Sequence, residues 1–484
     1  MSSTLKPHSL GSSRTILGHP PGLFVLFFTE MWERFAFYGM RSLLVLYMVN
    51  FLFLQPDVGQ RVLGFTAVRG ALESIFGHLD AQPLSSQIYG LYIAFVYLTP
   101  IFGGMLADRV LGQRKSVILG GILMAIGEFV LMSPKAFFVG LLVMILGNGA
   151  FKPNISTQVG GLYPEGDPRR DGAFTIFYMG INVGAFLSPL ICGTLGQVFG
   201  WRYGFLAAGI GMILGLIFYL WGQRYLATDH LTRRKQSAAV AVREKMSPEE
   251  WWRVIALMVL CGINSFFWAI YEQQGNTMQL WADQHTSWRF FGINIPSTWY
   301  QAFNPLMIFT FAPLLTMVWT WQSRRRQEPS SVSKMAWGCL LLGLSFIVMI
   351  AAAQGMAPDA RRSVLWLVGA TVVITLGELY LSPVGLSFVT KVAPARMVSM
   401  MMGMWFLSNF VGNYLSGFLG TFWEKIPHTS FFMLMTGIGV GAGVLMFAAG
   451  PVLQRLTGGN DKRVVVETGP GLETVAVSEA TTSS

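Results

Sequence analysis

Charge is what this sequence has least of. Only 12% of its 484 residues are Asp, Glu, Lys or Arg, against about 25% in soluble domains. Apolar residues make up 53% of the chain and fall into runs long enough to cross a bilayer, which needs about 20 residues. A soluble globular protein is excluded, and a polytopic membrane protein is expected. Histidine is also sparse: His8, His19, His78, His230, His285 and His428 all lie in tails or near the ends of apolar runs. No HExxH, GxSxG or Cys–His cluster occurs, so a membrane hydrolase would have neither metal ligands nor a nucleophile–base set. No cofactor or metal is implied. The three cysteines, Cys192, Cys261 and Cys339, sit inside apolar runs and are expected as buried free thiols. No short h-region with a cleavage site opens the chain, so the first span is expected to remain in the mature protein.

Glycine (54) and methionine (26) are abundant, as close helix packing and adaptable apolar surfaces require. Twelve spans are read at about 23–54, 84–107, 115–133, 136–160, 172–198, 203–224, 251–282, 298–322, 332–353, 361–390, 396–422 and 428–455. They define an N-terminal segment (1–21), a six-helix bundle (22–224), a charged linker (225–250), a second six-helix bundle (251–455) and a polar tail (456–484) expected to be disordered. A polar connection at 55–82 carries an expected amphipathic helix at about 68–79. The net charge of +10 does not point to nucleic acid. Its basic clusters, Arg109/Arg114/Lys115, Arg169/Arg170, Arg233/Arg234/Lys235 and Arg324/Arg325/Arg326, all fall in even-numbered connections. Retention of basic loops in the cytoplasm then places both termini there; Arg361 and Arg362, in an odd connection, run against the pattern. A six-plus-six chain around such a linker binds substrate near the midplane between its halves.

The first span contains TEMWERFAFYGMR at 29–41. Glu30, Arg34, Tyr38 and Arg41 are spaced by four, four and three, so they share a helix face, with Glu33 at its edge. Each such charge costs about 2.5–3.5 kcal/mol at the bilayer centre, so a cluster there marks a functional site. A buried ion pair that only fixes packing would need one acid and one base, whereas two acids here compete for Arg34. Lys152, in GNGAFKPN of the fourth span, either belongs to this site or snorkels to the surface beyond a helix ended at Pro153. Glu378 in the tenth span and Glu272 in the seventh have no local basic partner. Lys152 with Glu378 and Arg41 with Glu272 are the natural cross-half pairs, each able to latch one side.

These residues carry a resemblance. Glu30-Met-Trp-Glu33-Arg34-Phe-Ala-Phe-Tyr38-Gly39 resembles the ExxERFxYYG signature of the proton-dependent oligopeptide transporters, a family of the major facilitator superfamily. GGMLADR at 103–109 resembles the superfamily's motif between the second and third spans, and FYMGINVGAF at 177–186 and GELYLSPVGLSFVTKVAP at 377–394 are similar to further motifs of that family, in order and at compatible spacing. The resemblance implies the all-α major facilitator fold of twelve transmembrane helices. It implies proton-driven import of di- and tripeptides across the plasma membrane, a bacterial inner membrane, by a monomer in the lipid bilayer. Proton coupling would fall to Glu30, Glu33, Arg34, Lys152, Glu378, Arg41 and Glu272. Arg34 and Lys152 would hold the peptide carboxylate. Glu378, helped by Asn182 and Asn304, would hold the amino group. Tyr38, Tyr97, Tyr178, Trp268, Ser382, Trp405, Phe406 and Asn409 would line the substrate pockets. Two departures stand out: Gly90 replaces the histidine of animal members, leaving protonation to carboxylates, and the linker has no room for the two extra helices of many bacterial members. Another substrate on the same scaffold, such as nitrate or a drug, stays open.

Overall fold

The computed structural model describes residues 15–164, 166–227, 247–357, 359–394 and 397–456. Most of the N-terminal segment and linker, and the tail beyond 456, lie outside these residues. Twelve long helices, labelled α1 to α12, dominate it: α1 Pro21–Tyr47, α2 Ala81–Leu106, α3 Gln113–Leu131, α4 Phe137–Gly161, α5 Arg169–Ser188, α6 Trp201–Gly222, α7 Pro248–Tyr271, α8 Phe303–Arg324, α9 Ser331–Ala353, α10 Leu365–Val392, α11 Val398–Gly420 and α12 His428–Leu456. Ten of the spans are long and apolar enough to cross a membrane on their own. Of the other two, α3 carries Arg114, Lys115 and Glu128 within 19 residues, which explains its weaker signal. The end that holds the start of α1 and both sides of the linker is the linker end; the opposite one is the far end.

Local chemistry sets several boundaries. Pro20 and Pro21 open α1, where a missing N–H costs nothing. α7 opens on a capping box, Ser247 Oγ accepting from Glu250 N at 3.2 Å and Glu250 Oε2 accepting from Ser247 N at 2.9 Å. The seventh span is not continuous. It tightens to a 3₁₀ turn at Glu272–Gly275, breaks at Asn276 (φ −111°, ψ −101°) and resumes as Thr277–Gln284. The expected helix at 68–79 lies at Phe65–Phe76 instead; Gly77, at φ +74°, ends it there.

The helix packing repeats. α1 packs on α5 and α6, α2 on α4, and α3 on α4 and α6. Six helices later α7 packs on α11 and α12, α8 on α10, and α9 on α10 and α12. The halves meet through α2 with α11 and α5 with α8, two contacts that the same shift exchanges. At the first, Gly90 faces Gly417: a Cβ on Gly90 would stand 2.6 Å from the Gly417 backbone nitrogen, so the two backbones touch. Cys192, Cys261 and Cys339 are free and buried. Large apolar side chains such as Leu142, Ile217, Met317 and Leu445 are exposed on the outside of the bundle, as a lipid-facing surface requires.

Candidate transport site

The fold brings the charges of α1 together at mid-helix. Arg34 Nε lies 3.1 Å from Glu30 Oε1, its guanidinium forks onto both oxygens of Glu33, with Nη2–Oε1 at 2.8 Å, and its Cζ lies 5.3 Å from the Phe37 ring. All three charged side chains are buried. Asn148 of α4 adds a weak bond to Glu33 Oε1 at 3.4 Å, while Glu30 keeps one buried oxygen without a partner. The two acids therefore share one arginine unequally, and protonating either leaves Arg34 a freer donor.

Toward the far end, Arg41 crosses between the halves. Its Nη2 lies 2.6 Å from Glu272 Oε2, where the 3₁₀ turn after α7 presents that acid, and its Nε donates to the Tyr89 hydroxyl at 2.9 Å. Glu272 is 1% exposed and Arg41 7%, so the pair is dry. Further polar groups extend the seam. Gln82 Nε2 donates to the Gly420 carbonyl at 3.1 Å, and Ser86 Oγ to Asn276 Oδ1 at 2.8 Å. Asp283 accepts from Asn50 at 3.0 Å, Gln197 at 3.2 Å and Ser297 at 2.6 Å. The far end is closed by these bonds.

Nothing comparable joins the halves around Lys152 and Glu378. Among the described residues no ion pair links the two, and both are partly exposed. α4 runs through Pro153 to Gly161, so Lys152 is in a helix interior rather than beyond its end. Its Nζ lies 4.3 Å from the centre of the Tyr97 ring, a cation–π contact, and within electrostatic reach of Glu30, Glu33 and Arg34. Glu378 accepts from Asn304 Nδ2 at 2.8 Å, and Asn304 also donates to Thr375 at 3.1 Å and receives Tyr271 at 3.5 Å. Tyr38, Tyr97, Asn304, Ser382 and Phe406 are half-buried, and Tyr178 is exposed. Trp268, Trp405, Asn182 and Asn409 are buried; Asn182 spends its amide on the Tyr178 carbonyl at 3.0 Å. Positions expected together are thus divided between partly exposed and buried settings.

Sequence reasoning had no means of finding Tyr89, Asn148, Asn276, Asp283 or Gln197: neutral polar residues in a span leave no charge imbalance, and Asp283 lies at a span end. Gly90 gains a physical reason. Any side chain there, histidine included, would collide with the α11 backbone in this conformation.

Two six-helix halves related by repeat, a seam between them bonded at one end, and charges from both halves at mid-helix fit a multi-pass membrane transporter. The sequence model described as the POT family matches residues 114–231 and 226–438. The chain is 34% identical to the peptide transporter YePEPT of Yersinia enterocolitica (84% of this chain, 88% of that one) and 32% identical to the di-/tripeptide transporter of Lactococcus lactis subsp. cremoris (92% and 98%). A crystal structure of a peptide transporter POT in complex with sulfate superposes with TM-score 0.79 at 34% identity, covering 92% of this chain and 97% of that one. A POT family transporter in complex with 5-aminolevulinic acid gives 0.76 at 29% identity, covering 91% and 98%. This chain belongs to the POT family, a family of transporters.

Proposed function

We propose that this protein is a proton-coupled symporter that imports di- and tripeptides by alternating access, as a monomer in a bacterial inner membrane with both termini and the linker in the cytoplasm. The observation that carries the reading is the pair of opposite, partly exposed charges, Lys152 and Glu378, unpaired with each other in the two halves. Lys152, with Arg34 behind it, offers cations to a carboxylate, and Glu378 with Asn304 offers acceptors to an ammonium. A short peptide carries one charge of each sign at its ends and variable groups between. Tyr38, Tyr97, Tyr178 and Phe406 suit that middle, since aromatics give large contact with little rotamer entropy. The names of the relatives support the same substrate class.

Coupling follows from the shared arginine. A proton on Glu33 or Glu30 releases Arg34 to the peptide carboxylate, and a proton on Glu272 releases Arg41 and opens the far end. On the linker side Lys152 and Glu378 would pair with each other when the cleft closes and with peptide termini when it is filled. The test is uptake of labelled di-alanine into proteoliposomes under an imposed pH gradient, with competitors. Substituting both Glu30 and Glu33 with Gln should abolish gradient-driven accumulation and leave counterflow measurable. Equal affinity for a dipeptide and its N-acetylated, amidated form would refute the reading of the termini. Competition by nitrate or a drug, but not by tripeptides, would favour another substrate.

A further inference from the structure

α3 contains an acid that none of these sites uses. Glu128 lies one turn before the far end of the helix, is 0% exposed, and keeps both carboxyl oxygens buried with no hydrogen-bond partner. Its Cβ packs on α6 where Gly209 leaves room; a Cβ at 209 would stand 3.3 Å away. The titratable groups that face it are Tyr92 from α2 and Cys192 from the wide turns that continue α5. α4 and α6, packed along α3, bring no charged group within reach, and neither does α1. Tyr92 is buried at 3% exposure, its hydroxyl also has no partner, and it stands within electrostatic reach of Glu33 as well as Glu128.

Two arguments give this arrangement a function. An ionised carboxylate with no cation and no donor inside a bundle is the costliest state the group can take, so in this conformation the acid carries its proton. An acid kept for packing would then spend its O–H on a backbone carbonyl, as the buried hydroxyls of Thr29 (on Val25, 2.7 Å), Ser42 (on Gly39, 2.8 Å) and Thr371 (on Leu367, 2.7 Å) do. Glu128 does not. In this conformation neither carboxyl oxygen has a partner.

We propose that Glu128 is a second proton-binding site of the transporter, exchanging its proton with the Glu33–Arg34 cluster through the Tyr92 hydroxyl as the halves move. The Tyr92 oxygen takes the proton of Glu128 while its own hydroxyl proton passes to the Glu33 carboxylate. Tyrosine is regenerated, and one proton has moved from carboxyl to carboxyl. Glu33, once protonated, gives up Arg34. The inference rests on the proton-coupled reading above and adds a site to it.

The experiment measures labelled di-alanine uptake and the accompanying proton entry, by an internal pH dye, in proteoliposomes of the parent, Glu128→Gln, Glu128→Asp and Tyr92→Phe. Gln has the shape of the neutral acid but cannot exchange a proton, so a structural role would be satisfied by it. Glu128→Gln should carry fewer protons per peptide, lose about tenfold in gradient-driven accumulation, and still exchange peptide between equal pools. Glu128→Asp should recover much of the coupling, and Tyr92→Phe should slow coupled uptake with its exchange intact. Proton-to-peptide ratio and pH profile unchanged in Glu128→Gln would overturn the proposal; should that variant not fold, unchanged coupling in Tyr92→Phe overturns it. A parent that accumulates nothing under a proton gradient would instead fail the symporter reading itself.

Discussion

The two ends of the cleft hold similar charges in different circumstances. Toward the far end Arg41 and Glu272, one from each half, are bonded to each other and to Tyr89, and both are dry. Nearer the linker end Lys152 rests on an aromatic face and Glu378 on an amide, each half-buried and unpaired with the other. A ring and an amide are partners that a charged ligand can displace at little cost; a buried guanidinium–carboxylate pair, bonded through Arg41 Nη2 and Glu272 Oε2, is not. In the proposed mechanism the first pair is a closed gate and the second a site for the peptide termini, built from the same residue types.

The largest effect expected from this contrast is on the closed end. Arg41→Ala leaves Glu272 buried without its cation, a loss of about 3–5 kcal/mol where such pairs are broken from one side. A marked fall in melting temperature in detergent should accompany loss of uptake, with Glu272→Gln milder. An unchanged melting temperature would erase the distinction between the ends.

Next comes the open end. Lys152→Glu combined with Glu378→Lys should match the parent in expression and melting temperature but not transport free dipeptides, because each terminus would meet its own sign. Transport by the exchanged pair would make the charges a latch only. A smaller, conditional effect is expected at the hydrogen-bonded seam of the far end. Cysteines replacing Asn50 and Asp283, whose side chains meet at 3.0 Å, should crosslink and block uptake until reduced. Uptake that survives complete crosslinking would mean the far end need not open there.

The smallest effect concerns an exposed pair at the linker end. Asp167 accepts from the side chain and the backbone N–H of Arg169, which hold its carboxyl down at about 2. A carboxylate with a lowered folded value stabilises above its unfolded value of about 4 and loses that contribution as pH falls through the folded one. Asp167→Asn should therefore differ slightly from the parent in melting temperature near neutrality and converge with it in acid. Added salt should narrow the gap too, whereas the buried Arg41–Glu272 pair should hardly respond.

Much of this was legible because charge in an apolar run is conspicuous. Four-residue spacing announces Glu30 with Arg34, and the isolation of Glu272 points to a cation on another helix. The family likeness followed from motifs in order. Other features left no such trace. The break at Asn276 follows no Pro or charge pattern, and the resumed helix is what carries Asp283 to its partners. Glu128, three residues from the end of its helix, reads in sequence like a boundary residue; only packing shows it fully enclosed. The depth of a side chain depends on the neighbours of its helix, which one-dimensional periodicity does not report.

The backbone contact of Gly90 with Gly417 has a mechanical consequence. No side chain separates α2 from α11 at that point, so a tilt of one helix on the other would turn about it. It is off-centre: at 1.5 Å per residue, Gly90 is about 14 Å from the far end of α2 and about 24 Å from the other. A tilt of about 10° about this point would move the long arm by about 4 Å and the short arm by little more than half as much. Such a lever would give the linker end the longer stroke and the far end the greater force, so that a modest force at the linker end acts strongly on the seam of buried bonds at the far end.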